Sequence, residues 1–373
     1  MECAGARLRA VLGVRSTGPV GTWPERAPDA DALVRHFGTW FGTPPAGVWH
    51  APGRLALMGE HTVASGGVGL YVALPWGVTA AVGPSPDPRV HVTALGGAPR
   101  PGRKATRAVA AAVDEARRTG LLGADEGVRV VLGADLPEHS SLGHASAVGA
   151  AVTLALADMG GGPPPEGATV DHRVALAARP GCAVRVNLRT MRTTVLPFDL
   201  AESGLRLLVV DTGALPRRDL RAVRAAELRR AQEILGPLRA VRDLPEALRE
   251  LRDPVLRRRV EYAVTEVHRL NAAVGLLRAG RVEETGPVLS ASHLSLRRFE
   301  LPTPEVELVA ETAVRAGARG VRMSGWAGTV LALAATERVE GIGDALVEEF
   351  RARDLVPPRL RSALPSAGAH RLR

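Results

Sequence analysis

Residues 128–161, VRVVLGADLPEHSSLGHASAVGAAVTLALADMGG, place a valine-rich run, a short polar turn and a long stretch of small and aliphatic residues in direct succession. The first run has the length and branching of a buried strand. The last reads as a helix with apolar residues on every side, stopped by glycines. A helix of that kind is stable only when other elements cover it all round. The strand–turn–helix unit therefore belongs inside a mixed α and β core, and the rest of the chain must supply the cover.

ADALVRHFGTWFG, residues 30–42, reads as a helix ended by Gly42. Between residues 48 and 95, short runs rich in valine, alanine and threonine alternate with turn residues, which is the pattern of strands and hairpins. VGLYVALPWGVTAAVG, among them, is broken by Pro75 and reads as strands. ATRAVAAAVDEARRTG is an alanine-rich helix closed by Gly120, and GGGPPPEGA, residues 160–168, is a linker or surface loop. GCAVRVNLRTMRTTVLPFDL and GLRLLVVDTG read as strands, and residues 219–279 are helical with short breaks. GARGVRMSGWAGTVLALAA reads as a turn, a glycine-rich loop and then a strand, followed by the helix GIGDALVEEFRAR. A chain of 373 residues is long for one core, and strands followed by helices occur twice. The expectation is a pair of α+β domains, over residues 30–200 and 201–373, behind an N-terminal extension at residues 1–29 that is open to disorder.

The formal net charge of +9 raises the question of nucleic acid. The arginines, however, interleave with glutamates, as in RAVRAAELRRAQEILGPLRAVRD, and no basic stripe with aromatics occurs. Such segments are solvated helix faces of mixed sign, so no nucleic-acid partner is expected. Two cysteines, Cys3 and Cys182, cannot make a disulfide framework. The opening MECAGARLRAVLG is too short and too polar for a signal peptide, and nothing is apolar enough to span a membrane. A cytoplasmic protein without a membrane partner is expected.

Three loop segments then follow one another along the chain: APGRLALMGEHTVASGG (51–67), LPEHSSLGHASAVGAA (136–151) and GVRMSGWAGTVLALA (320–334). FGTPPAGVWHAPGR leads into the first, SASHLSLRRFELPTPEVELV precedes the third, and PSAGAH lies near the end. Taken in this order, they resemble the galactokinase family of the GHMP kinase superfamily, over nearly the whole chain from about Val34. The resemblance implies a two-domain GHMP-kinase-like fold with an interdomain cleft. It also implies transfer of the γ-phosphoryl group of ATP, with Mg2+, onto the anomeric hydroxyl of galactose or a related sugar. In the first segment the implied roles are support of the catalytic base and the transferring phosphoryl by Arg54, and the holding of sugar hydroxyls by Glu60 and His61. The second implies a phosphate cradle at a helix N-terminus, for which Ser140, Ser141, Gly143, His144 and Ser146 are the candidates. In the third, Gly325 and Gly328 belong to the loop, and Trp326 reads as a plug that fills space.

The chain departs from the family pattern at several points. Val63 stands where the family has an aspartate that also holds the sugar, and an isopropyl group accepts no hydrogen bond. His139 and Ser141 replace glycines of the phosphate loop, and Glu138 adds a negative charge there. Arg221 falls where the family places a tyrosine against the sugar. Where the family has a glycine–isoleucine–methionine–aspartate–glutamine segment, whose aspartate is the base, only GGGPPPEGATVDHRVALAARP fills the interval, roughly half the family's usual length, and no such segment is present. Asp171 and His172 are the nearest titratable residues there and read as members of a surface helix, so no base is assigned. A missing base costs roughly 10²–10⁴-fold in rate. Two alternatives to a working sugar kinase therefore stand beside it: a non-catalytic protein that binds a sugar or a protein partner, and an enzyme turned to other chemistry on the same fold. His139 and His144 have no third ligand nearby, and no metal site is assigned. His293 matches a family position and reads as a packing residue.

Overall fold

The computed structural model describes residues 29–95, 101–137, 140–165, 169–215, 217 and 219–373. All but Asp29 of the expected N-terminal extension lies outside these, as do Glu138 and His139. The described chain divides into two compact units: Leu200–Ala363, and the residues that precede and follow it. Among the described residues no helix is long and apolar enough to cross a membrane.

The first unit holds β1 (Gly47–Met58), β2 (Val68–Ser85), β3 (Val90–Ala94), β4 (Gly127–Ala134), β5 (Cys182–Asn187), β6 (Thr193–Pro197) and β11 (His370–Arg371), with α1 (Ala30–Phe41), α2 (Arg103–Arg118), α3 (His144–Met159) and α4 (Val170–Ala177). Its described strands form one sheet in the order β11-β1-β2-β4-β3, with β5 on the other half of β2 and β6 beyond β5. All pairings but β3–β4 are antiparallel. The apolar helix of the opening stretch is α3, which packs on β1 and β2 and against α2 and α4. Nearly every residue from Ala147 to Ala157 is buried, as its all-round apolar surface requires. Helix α1 covers another part of the sheet through Leu33 and Phe37, which meet Val48, Ala81 and Val131. It ends as its sequence demands, with Gly42 at φ 73° and its N–H on the Gly38 carbonyl.

Pro75 does not divide β2 in two. It sits in an irregularity of the β1–β2 ladder between the pairs Pro52–Gly77 and Arg54–Ala73. A proline has no N–H to donate, and a bulge is a place in a sheet that tolerates it. The closing residues Leu364–Arg373, expected in the second domain, belong with the first unit. There β11 pairs with β1 through Trp49–Arg371 and His50–His370. The pairing satisfies backbone groups that an open strand edge would leave to water.

The second unit holds β7 (Leu205–Asp211), α5 (Leu220–Leu235), α6 (Leu244–Glu250), α7 (Pro254–Arg278), α8 (Thr285–Arg298), α9 (Pro304–Arg315), β8 (Gly320–Ser324), β9 (Thr329–Ala335), α10 (Val339–Ala352) and β10 (Arg359–Ala363). Its sheet is antiparallel in the order β10-β7-β9-β8. The third loop segment differs from its expected reading: Gly320–Ser324 is itself a strand, and residues 325–328 are the turn of the β8–β9 hairpin. Gly325 takes φ 72° in that turn. A side chain on Gly328 would stand 2.1 Å from Thr212 Oγ1. Trp326 is half-buried in the same turn, and Arg221 is exposed on α5. Beneath the hairpin lies a buried polar group. Arg322 Nε donates to Ser292 Oγ at 2.8 Å, Ser292 donates to Glu266 Oε1 at 2.8 Å, and Arg322 Nη2 reaches Glu266 Oε1 at 3.3 Å. His293 Nδ1 accepts the Met323 N–H at 3.2 Å, so the histidine packs against β8.

Two predictions follow from this packing. Replacing Arg322 by leucine removes one of two guanidinium groups from the buried Glu266 carboxylate and leaves Arg269, 3.1 Å from Oε2, as the other, which should cost about 1.5–3 kcal/mol of stability in urea melts. In the first unit, burial first and His370 second push the His50 pKa down to about 4 from 6.5. Between those pH values the unfolded chain takes up a proton that the folded chain refuses, so this part of the stability is lost as pH falls. The full term is on the order of 3 kcal/mol. His50→Asn should lose clearly less stability than the wild type when melts at pH 7 and pH 4.5 are compared; equal losses would exclude the effect.

Candidate functional site

Arg54 owes its position to the irregular stretch of β1 and β2. Gly77 lies so close to β1 that a Cβ on it would stand 2.1 Å from the Ala51 carbonyl oxygen. Past this crossing the ladder shifts, and the Arg54 N–H donates to the Leu142 carbonyl at 2.8 Å instead of to a strand. Bulges of this kind re-aim a side chain. The Arg54 Nη1 donates to the Ser141 carbonyl at 3.0 Å, so main chain and guanidinium both hold the second loop segment. The guanidinium also lies 5.7 Å from the centre of the Tyr71 ring.

Helix α4 supplies the counter-charge. Thr169 caps it, its Oγ1 accepting the His172 N–H at 3.2 Å. Val174 is fully buried and packs with Ala178 against Ala56, Tyr71, Val184 and their neighbours on the sheet. Asp171 precedes Val174 by three positions and Ala178 by seven, so it shares their inward face. Its Oδ1 accepts from Arg54 Nε at 2.5 Å, and its Oδ2 accepts from Ser146 Oγ at 3.1 Å. The side chains of Arg54 and Asp171 are only 17% and 22% exposed. Burial works against the Arg54 charge, but the charge and hydrogen bond of Asp171, with help from Tyr71 and Glu60, outweigh it and hold the Arg54 pKa above its ordinary value. His172, beside it, is pushed below the usual histidine range by burial, only partly opposed by Asp171.

The second loop segment closes on the same place. Gly143 is the residue before α3, at φ 82°, where a side chain would be strained. A Cβ there would lie 3.3 Å from Arg54 Cγ and 3.6 Å from Asp171 Oδ2. No side chain caps α3, so its first backbone N–H groups are directed at this corner with the positive end of the helix dipole. His144, the first residue of α3, is buried. Ser140 Oγ donates to the Pro137 carbonyl at 2.8 Å. Glu60 and His61 open a 3₁₀ turn, Glu60–Ser65, between Gly59 at φ 83° and Gly66 at φ 64°. Both are buried, and His61 Nδ1 lies 3.7 Å from Glu60 Oε1. Val63 in the same turn is 43% exposed.

The structure thus brings together Arg54, Ser141, Gly143 and Ser146 from the expected residues, with Glu60 near enough to act on the Arg54 charge. Gly325 and Gly328 lie in the second unit. The hydroxyls of Ser140 and Ser146 are committed inside the chain, the first to its own turn and the second to Asp171. Asp171 is the residue that sequence reasoning set aside as a surface-helix member. Its signal was present: Val170, Asp171 and His172 repeat the apolar–aspartate–polar order of the family segment, and the apolar spacing to Val174 turns the carboxylate inward.

Comparison with known proteins gives the family and the fold. Residues 35–84 match the model of the galactokinase galactose-binding signature. A galactokinase of Streptomyces coelicolor is 32% identical over 92% of this chain and 98% of its own length. The structure of Lactococcus lactis galactokinase complexed with galactose superposes with a TM-score of 0.80 at 22% identity, over 92% of this chain and 99% of that one. L. major mevalonate kinase in complex with R-mevalonate shares the fold more distantly, with a TM-score of 0.57 at 18% identity over 87% and 100% of the two chains. The fold is therefore the α+β fold of the GHMP kinases, and the chain belongs to the galactokinase family.

Proposed function

We propose that this protein is a working sugar kinase that transfers the γ-phosphoryl group of Mg-ATP to the anomeric hydroxyl of galactose or a close relative, with Asp171 as proton acceptor. The observation that carries this reading is the contact of Arg54 Nε with Asp171 Oδ1 at 2.5 Å. It supplies a carboxylate, held ionised by a neighbouring guanidinium, where the sequence alone offered none. The reading that the chain only binds ligands rested on that missing carboxylate together with the altered phosphate loop and the lost sugar contacts, and Asp171 answers the first of these.

In this reading the Asp171 carboxylate takes the proton of the anomeric hydroxyl as its oxygen bonds to the γ-phosphorus. The bond from that phosphorus to the bridging oxygen breaks, and ADP leaves with the bond's electrons. Arg54 orients the acceptor and offsets negative charge on the phosphoryl group. Anion binding falls to the uncapped start of α3. Its Gly143 leaves open the space that a side chain would take, and backbone N–H groups at a helix start suit phosphate. Magnesium comes as part of the nucleotide substrate, held mainly by its phosphates. Glu60 and His61 are the residues for sugar hydroxyls, and galactose, which the L. lactis relative holds, is the first sugar to test. A cytoplasmic setting fits the nucleotide co-substrate.

Phosphate transfer to a sugar panel, followed by ADP release and by NMR of the sugar 1-phosphate, tests the proposal directly. Asp171→Asn should lower kcat by about 10²–10⁴-fold while the variant, which melts lower because the Arg54 charge loses its counter-charge, still folds and keeps its ATP-induced stabilisation. Turnover by Asp171→Asn at the wild-type rate would end the assignment. Arg54→Lys keeps the charge but not the fork that joins Asp171 to the Ser141 carbonyl. It should lower kcat by about 10–10²-fold, with a smaller effect on the KM for the sugar.

A further inference from the structure

We propose that Ser146 is a positioning residue for the proton acceptor, fixing the orientation of the Asp171 carboxylate through its second oxygen. This inference rests on the assignment of Asp171 above. Arg54 engages Oδ1, a contact that by itself sets the position of one carboxylate oxygen and not of the other. The Ser146 hydroxyl, donating to Oδ2 at 3.1 Å, supplies a second point of attachment from a different element. Two anchors on the two oxygens define the plane of the group. They also give the two oxygens different neighbours: Oδ1 is turned to the charged guanidinium, and Oδ2 to the neutral hydroxyl of Ser146.

The source of the anchor matters. Ser146 is the third residue of α3, in the rigid first turn of a helix buried along most of its length. That turn also contains His144 and follows the Ser141 and Leu142 carbonyls that hold Arg54. A closed circuit results: loop carbonyls to Arg54, Arg54 to Asp171, Asp171 to Ser146, and Ser146 back through the helix to the loop. Any shift of the α3 terminus moves both anchors together, so acceptor and phosphate-binding turn keep one geometry. A serine in a first helical turn ordinarily turns its hydroxyl to a backbone group; here it leaves the helix for a carboxylate on α4.

The experiment compares wild type, Ser146→Ala, Ser146→Thr and Asp171→Asn. Steady-state kinetics are measured across pH, and the Asp171 carboxyl is titrated by ¹³C NMR. The charged or titratable groups around Asp171 are Arg54 on β1, Tyr71 on β2, Glu60 on the 3₁₀ turn, His144 on α3, and His172 and Arg173 on α4. None is altered in the serine variants, so a difference between them belongs to the hydroxyl. A hydrogen bond to the ionised form favours that form. Ser146→Ala should therefore raise the Asp171 titration midpoint and the acid limb of the kcat profile together, by about half a unit to one unit. It should lower kcat by about tenfold with both KM values within about twofold, and Ser146→Thr should restore both. An unchanged titration or an unchanged kcat in a folded Ser146→Ala overturns the proposal. If Asp171→Asn is inactive while Ser146→Ala behaves as wild type, only this inference falls. If Asp171→Asn is fully active, the assignment of the acceptor falls and this inference falls with it.

Discussion

The attachment of Arg54 at three points to two distant stretches of chain is the constraint on which the site depends. Its main chain bonds to Leu142, its side chain to Ser141, and its Nε to Asp171. A guanidinium suits this task because its donors lie in one rigid plane and its charge survives burial when a carboxylate lies beside it. The price of burying that charge is met locally by Asp171, whose own second oxygen is engaged by Ser146. The surrounding fold is arranged to bring these four stretches to one corner of the sheet.

That convergence has a mechanical basis. The close crossing at Gly77 and the irregularity at Pro75 shift the β1–β2 register just before Arg54. The buried face of α4, built on Val174, presses the helix onto the sheet and turns Asp171 inward. The all-apolar α3 must lie in the interior, and its N-terminus is therefore delivered to the sheet rather than to solvent. Replacing glycines of the phosphate loop with bulkier residues did not disturb this frame at the described positions. The glycine at 143, where φ is positive, is present.

The departures from the family pattern can now be sorted. Val63 is a real difference in surface chemistry, an exposed apolar group in a turn of buried polar residues. Arg221 is likewise exposed on α5. The missing base segment was a different matter, because its loss was inferred from residue identity and interval length. The short interval between α3 and β5 holds a capped helix that carries Asp171. In the proposed reading this carboxylate serves as the acceptor, because the chemistry needs the group at one place in space and not on one length of path.

The amino-acid sequence by itself determined the buried strand–helix unit, the helix ends at glycines, the two-domain α+β plan and the family, because periodicity, turn residues and the order of the loop segments are local properties of the chain. It also raised Arg54, Glu60 and His61 as candidate ligand residues. Only the tertiary structure decided that Asp171 meets Arg54, since the two are 117 positions apart and their approach depends on how α4 packs. It likewise decided that Ser146 serves that carboxylate, that residues 364–373 return to β1, and that the third glycine-rich segment is a hairpin turn. Each of these depends on which distant surfaces are buried against one another, and no window of sequence contains that information.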